Sequence, residues 1–383
     1  MRLAVYTDYA YGRADGAVFA ERAFVRFLEG VASHVDAMVL IGRLNPELGQ
    51  SHYRVDDAID FRPLPFYPSL AQPVEAIGAM ARSLGRFWNA IDDVDCVWLL
   101  GPHPLELLFA ALAVARGKRV TLGVRQDLPA YSRARHPERS GFHRIADLLD
   151  WSWRLLARRC RTVVVGPELA KRYAAARELL PIAVSLVRDS DLVDPDAAAR
   201  RDWSGERQVL SVGRLEAEKN PLLLADILAA LVADDQRWRL VVCGEGPLAA
   251  DLAARLEELG VAEHAELAGY MPIDGGLGDL YRQSQALLHV SWTEGMPQVL
   301  LEAFAAGTPI VGTAVGGVPG AVGDDALLVP PGDVTAPVEA LRRLAAEPEL
   351  RERLVRGGIE RVRRQTLDAE SKRVADFLGD GLA

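Results

Sequence analysis

The sequence has little cysteine: Cys96, Cys160 and Cys243 are the only three in 383 residues. None has metal-ligand spacing, and they read as small buried hydrophobes of a reducing compartment. The chain has no run of eighteen or more apolar residues, which excludes a membrane-spanning helix. Its first segment, MRLAVYTDYAYG, turns polar too soon for the apolar core of a signal peptide. It has no short-period repeat and no low-complexity tract. These absences point to the cytoplasm. What is present is ordinary for a soluble globular protein: 50% hydrophobic and 25% charged residues. The length exceeds one typical core, so two domains are expected.

The net charge of −9 argues against a general nucleic-acid binder. It also hides an asymmetry. Residues 1–190 hold 25 Lys and Arg against 21 Asp and Glu, whereas residues 191–383 hold 19 against 32. The two halves therefore present different surfaces.

Short apolar strands alternate with helical stretches from end to end, which predicts parallel sheets covered by helices on both faces. In the first half the strand-like runs are 2–8, 35–44, 95–101, 119–127, 162–166 and 182–187, with helices over Val18–Leu28, Pro104–Ala115 and Phe142–Arg159. A polar stretch then begins at Asp189 and reads as an interdomain linker over 189–206. The alternation restarts at 208–213, followed by 239–244, 266–270, 286–292, 310–315 and 326–331. The expected organisation is an α/β domain over 1–188, the linker, a second α/β domain over 207–365, and a final helix over 366–383. In such sheets ligands bind at the carboxyl ends of strands, so chemistry is sought in the loops after them.

After the strand VLSVG, Arg214 and Lys219 lie in the loop and first turn. Two cations there suit an anionic group such as a diphosphate, and fixed cations assist departure of such a leaving group without a metal. Taken alone, two solvated surface charges are the better reading. The next loop, GEGPL, places Gly244, Gly246 and Ala249 at G-x-G-x-x-A spacing. It follows the second strand of its domain, so a glycine-bearing turn is slightly favoured over a phosphate contact. The most specific segment is SWTEGMPQVLLEAFAAGTP from Ser291. Glu294 and Gly295 precede a helix opened by Pro297, and the backbone of Gly295, Met296 and Gln298 makes an anion site at its start. Glu302 lies within an apolar run, so its carboxylate is expected to be buried and to need a partner.

Together G-R-L-x-x-E-K-N (213–220), G-E-G-P (244–247), and E-G-x-P followed by E-A-x-A-x-G-x-P (302–309) resemble the retaining, family 4 type of glycosyltransferase. This is the glycosyl transferases group 1 family, with the GT-B fold of two Rossmann-like domains facing a central cleft. The resemblance covers 208–332 well. It implies that Arg214 and Lys219 hold a donor diphosphate, that Glu294 contacts the donor sugar and Glu302 the ribose, and that Tyr270 sits near the base. Gly244, Gly295 and Met296 complete the donor side, and Gly16 and His103 are its candidate contacts in the first half. His103 lies in GPHP at a strand's carboxyl end, where a loop histidine with no role is an equal reading. The first half departs from the family pattern: YAYGRADGAV has no glycine pair, SLVRDSDL replaces the usual closing stretch, and Arg125 and Asp127 stand where a histidine is often seen.

The expected activity is transfer of a hexosyl group from a nucleotide sugar, with retention, to a carbohydrate or lipid-linked acceptor. No cofactor and no metal are expected. Three D-x-D triplets, at 93–95, 189–191 and 194–196, read as solvated turns. A sugar phosphorylase or nucleotide-sugar epimerase on the same scaffold is the alternative; an NAD-dependent oxidoreductase and an inactive sugar-nucleotide binder rank lower. Finally, residues 116–177 carry 15 Lys and Arg against 5 Asp and Glu. Within them, 142–160 forms a basic amphipathic helix with Trp151 and Trp153, suited to peripheral contact with the inner membrane face. An ordinary helix packing its apolar residues on the sheet is the somewhat better reading.

Overall fold

A computed structural model describes every residue except 50, 52, 69–72, 136, 137, 139, 296, 382 and 383. The chain divides into two compact units, Met1–Val184 with Leu367–Ala383, and Ser185–Thr366. Both are α/β: the second sheet is wholly parallel, and the first is parallel except for two short antiparallel strands at one side.

In the first unit the parallel strands run in the spatial order Asp60–Pro65, Ala37–Leu44, Arg2–Ala14, Cys96–Gly101, Arg119–Val124, Arg161–Val165, Glu178–Ile182. The order reverses between Arg2–Ala14 and Cys96–Gly101. The first strand shows why its sequence is a continuous apolar run: both faces are covered. Ala4 and Tyr6 point into one layer with Phe87, Phe109 and Trp153. Leu3 and Val5 point into the other with Phe27, Leu28, Val374 and Leu378. The last two residues belong to the helix Leu367–Gly379, which packs on the helix Phe24–Ala32. Gly30 permits that approach, since a Cβ there would stand 3.1 Å from both Leu367 and Ser371.

Three local expectations differ from the structure. The first strand does not end near residue 8. It continues to Ala14 and pairs antiparallel with Ala17–Ala20, where a helix from Val18 was expected. Asp15 and Gly16 both have positive φ, 49° and 80°, the signature of a two-residue hairpin turn. The strand Asp60–Pro65 was missed because it holds Pro63 and Pro65, which an edge strand tolerates. The last strand lies at Glu178–Ile182 rather than 182–187.

In the second unit all six strands are parallel, in the order Ala265–Gly269, Trp238–Cys243, Arg207–Val212, Ala286–His289, Ile310–Thr313, Leu327–Val329. The order reverses between Arg207–Val212 and Ala286–His289. The stretch 189–206, expected as a linker, is folded onto this unit. Asp194 caps a helix over Pro195–Ala199, and Trp203 is buried against the core. Arg201 donates to the carbonyls of Ser284 and Ala306 at 2.6 and 3.0 Å. Burial pushes the Arg201 guanidinium down to about 10. Its polarity had marked it as a surface segment, which does not distinguish a tether from a docked loop.

Leu378 is wholly buried in the first unit's core. Leu378→Ala is therefore expected to destabilise that unit by about 2–5 kcal/mol, the usual cost of a cavity left by a leucine. Differential scanning calorimetry reads this as a lowered first-unit transition. An unchanged transition would mean that the final helix does not hold the core closed.

Candidate functional site

The second unit's strand order reverses between Arg207–Val212 and Ala286–His289, and the loops leaving strands at such a point are where folds of this type bind ligands. The first loop carries Arg214 and Lys219, the second Glu294. The loops are tied twice. Trp292 donates its N–H to the Glu218 carbonyl at 2.8 Å. Lys219 Nζ donates to Glu294 Oε1 at 2.6 Å. The Glu294 carboxylate also accepts from Ser291 Oγ at 2.8 Å and from His289 Nε2 at 2.9 Å. Only 8% of its side chain is exposed. Burial pushes this carboxyl up, but hydrogen bonds from His289 and Lys219 outweigh it and bring it down to about 2. Glu294 is therefore a firmly ionised carboxylate with a cation at its edge.

The backbone around it is set by glycines. A Cβ on Gly316, at φ +50°, would meet the Glu294 carbonyl at 1.9 Å, and Gly317 N–H donates to that carbonyl at 3.2 Å. The loop after Ile310–Thr313 thus clamps the Glu294 backbone. Gly244 has a comparable task. A Cβ there would stand 1.8 Å from the Gly213 carbonyl, and one on Gly246 would stand 2.5 Å from the Leu215 carbonyl. The spacing that resembles a dinucleotide fingerprint is accounted for by two loops pressed backbone to backbone.

Arg214 is 64% exposed and paired with Glu216 at 2.6 Å and Glu218 at 3.0 Å. It sits in the same loop as Lys219, with its charge held by neighbours. The helix after Glu294 is Gln298–Ala305, so only the second glutamate is helical. Glu302 is half-buried among its apolar neighbours, and its partner is the Tyr281 hydroxyl, which donates to Oε2 at 2.8 Å. Burial raises this carboxyl above its ordinary value, and the tyrosine's hydrogen bond lowers it in part. The two glutamates therefore differ in kind: one lies in a loop with its carboxyl held low, the other on a helix with its carboxyl pushed up. Gly295 is exposed beside Glu294, and Met296 lies outside the described residues. Tyr270 is exposed after Gly269, at the end of the strand Ala265–Gly269.

The first-unit candidates are placed elsewhere. Gly16 is the exposed tip of the hairpin rather than part of a loop leading into a helix. His103 is buried and caps the helix Pro104–Ala115, its Nδ1 accepting from Leu105 N–H at 3.3 Å. Its Nε2 faces the Tyr67 hydroxyl at 3.2 Å and Asp8 Oδ1 at 3.5 Å. Burial lowers its pKa, so the neutral ring is the form held there. Both nitrogens are occupied by structure. Of the D-x-D aspartates, Asp93 pairs with Arg2 and Arg62, Asp194 caps a helix and Asp196 pairs with Arg356. Among the described residues, no group of three or more His, Cys, Asp and Glu is placed to hold a metal.

Three partners of the site residues were missed: His289, Ser291 and Tyr281. The signal that singled out Glu302, an acid in an apolar run, also marks Glu106 in PLELLF. That residue is wholly buried on the helix after His103, and burial and then Asp8 push its carboxyl well above the usual range. Nothing in the sequence marks His289 or Tyr281, which come from a strand and from a helix that other loops bring close.

Residues 196–361 match the model of the family described as glycosyl transferases group 1. The match covers most of the second unit, which is thus similar to a group 1 glycosyltransferase domain. The chain is 34% identical over 181 residues to a D-inositol 3-phosphate glycosyltransferase of Saccharomonospora viridis, covering 45% of this chain and 42% of the relative. It is 27% identical over 305 residues to a 2-deoxystreptamine glucosyltransferase of Streptomyces kanamyceticus, covering 69% and 74%. The match to the inositol-phosphate enzyme thus spans less than half of that relative's length. Among solved structures, HepE of Anabaena in complex with UDP superposes with a TM-score of 0.70 at 15% identity, over 99% of this chain and 100% of that one. Sucrose-phosphate synthase of Thermosynechococcus elongatus gives 0.68 at 17%, over 98% and 97%. The fold is GT-B.

The depressed Glu294 pKa carries a pH consequence. A carboxyl held low in the folded state contributes stability above its unfolded value, and that contribution is lost as pH falls towards about 2. In Lys219→Met the Glu294 carboxyl is expected to titrate higher, and the acid limb of the second unit's unfolding curve to move up in pH. Carbon-13 NMR of labelled glutamate checks this; an unmoved Glu294 resonance would show that Lys219 does not hold it.

Proposed function

We propose that the protein is a retaining, metal-independent glycosyltransferase that moves a hexosyl group from a nucleotide sugar to a carbohydrate or lipid-linked acceptor. The observation that carries this reading is the Lys219–Glu294 pair across the second sheet's reversal point, with Arg214 in the same loop. Lys219 and Arg214 suit the donor diphosphate, whose negative charge grows as the bond to the sugar breaks. Glu294, fixed by three donors, accepts from sugar hydroxyls, and Glu302, held by Tyr281, accepts from the ribose. Gly295 suits the phosphates and Tyr270 the base, while Met296 keeps that role only by its place in the motif. The positions of Gly244, Gly16 and His103 are explained by packing, turn geometry and capping, so their ligand roles carry the least weight. In the reaction the bond from the anomeric carbon to the phosphate oxygen breaks. The acceptor oxygen bonds to that carbon on the same face, and its proton passes to the leaving phosphate.

The charge neutralisation falls to Arg214 and Lys219, so no metal and no cofactor enters this reading. A uridine nucleotide is the first donor to test, because HepE of Anabaena was solved with UDP. The finer form of the reading is a cytoplasmic enzyme working at the inner membrane face, with 142–160 as its membrane contact. Among the described residues, no helix is long and apolar enough to cross a membrane. The phosphorylase and epimerase readings find no support among the relatives named above.

Arg214→Ala and Lys219→Ala are each expected to lower turnover by about 100- to 1,000-fold. Wild-type turnover in both would sink the assignment. Glu302→Ala should weaken binding of the free nucleoside diphosphate in calorimetry, whereas Glu294→Ala should lower kcat and leave that affinity nearly unchanged. Equal losses would refute the division of labour. Proton NMR of fresh product should show the donor's anomeric configuration, and an inverted anomer would exclude the same-face route.

A further inference from the structure

The helix Ser140–Ala157 fully buries only Trp153 among its large apolar residues. Ala146, Asp150, Trp153 and Ala157 face inward, with Trp153 in the core beside Phe109 and Leu122. Asp150 accepts from Arg172 and from the Tyr173 hydroxyl. Small and polar residues thus fill the inner face, and a single tryptophan supplies its apolar bulk. The outer face holds Ile145 at 63% exposure, Leu148 at 63%, Trp151 at 55% and Leu155 at 48%. Their spacings of three, three and four place them on one stripe down the helix. The reading in which this helix packs apolar residues on the sheet holds for Trp153 and, half-buried, for Leu149 and Leu156; the stripe of Ile145, Leu148, Trp151 and Leu155 is exposed beside them.

Arginines border the stripe. Arg144, Arg158 and Arg159 are exposed or at the helix end, and none has an ion pair among the described residues. Arg154 is paired with the buried Asp150 at 3.0 Å. Trp151, Arg154, Leu155 and Arg158 line a surface depression of about 300 Å³, open to solvent. An apolar stripe with an indole and a flank of cations is the pattern that lies in a bilayer interface, with apolar groups at the acyl boundary and guanidiniums among anionic headgroups.

We propose that the outer face of Ser140–Ala157, with Arg158 and Arg159, is a docking surface for an anionic lipid bilayer. A second copy of this chain fits poorly, because a two-fold contact through this stripe would set its unpaired arginines against their own images. The net charge of −9 does not oppose the docking, since residues 116–177 carry 15 Lys and Arg against 5 Asp and Glu. Charges more than about 10 Å away are largely screened at physiological salt. The inference gives the membrane-facing form of the proposed function a defined surface. Its test is a binding measurement, independent of any glycosyl transfer.

The experiment is co-sedimentation of the full chain with vesicles of phosphatidylcholine alone and of phosphatidylcholine with phosphatidylglycerol, at low and high salt. The wild type should bind the anionic vesicles, bind the neutral ones at least tenfold less, and be released by salt. Arg144→Gln with Arg158→Gln should lower partitioning about thirtyfold, as expected for two basic residues at an anionic surface. Leu148→Ser with Trp151→Ser should abolish it while circular dichroism and the thermal transition stay unchanged, since both side chains are already in water. No binding at low salt, equal binding to neutral vesicles, or undiminished binding by Leu148→Ser with Trp151→Ser would overturn the proposal. So would a dimer in light scattering that the same double substitution dissolves, since the stripe would then be a self-association face.

Discussion

The Lys219–Glu294 ion pair is the contact around which the second unit's loops are organised. It joins loops that leave strands adjacent in space but far apart in sequence, so it exists only because the sheet order reverses between them. A part-buried pair of this kind is costly to half-remove, because a partly desolvated charge is left without its partner. The surroundings reflect that cost: Ser291 and His289 also donate to the carboxylate, and Gly316 lets a third loop close on its backbone. An arriving anion would therefore find a cation already positioned, with its charge compensated until the anion takes over part of that role.

The architecture was legible where strands are buried on both faces. Runs such as LAVY and VWLL could be read because parallel sheets leave no polar alternation to confuse them. The edges were not. Asp60–Pro65 carries two prolines, and the Asp15-Gly16 turn extends the first strand into a hairpin that a helical periodicity seemed to occupy. The stretch 189–206 shows a different limit. Polarity reports exposure to water, and a surface segment pinned by Arg201 and Trp203 has the composition of one that hangs free.

In the site, acidic residues beside glycine, or inside apolar runs, could be read directly. Glu302 was expected to be buried with a partner, and Tyr281 is that partner, though nothing local pointed to it. His289 was hidden because a histidine ending a strand has no signature until its neighbour's loop returns. Conversely, Gly244 and His103 occupy suggestive positions for mechanical reasons, one allowing close backbone approach and the other capping a helix. Motif spacing cannot separate a ligand contact from the packing that shapes the same turn. On the helix Ser140–Ala157, helical spacing identified the amphipathic pattern but not which side faces the sheet. Asp150, bonded to Arg172 and Tyr173, lies on the inner face, and Leu148 and Leu155 lie on the outer one.

The helix Leu367–Gly379 closes the first unit's core, yet the entire second unit lies between it and the rest of that core. During synthesis the groove over Leu3, Val5, Phe27 and Leu28 therefore stays uncovered while Ser185–Thr366 is being made. At about 5–20 residues per second that interval is on the order of ten to forty seconds. The second unit has all its strands in hand before the first can finish, so the order of completion on the ribosome runs opposite to the order of the chain. For that interval the apolar side chains of Leu3, Val5, Phe27 and Leu28 lack the cover that Val374 and Leu378 later supply.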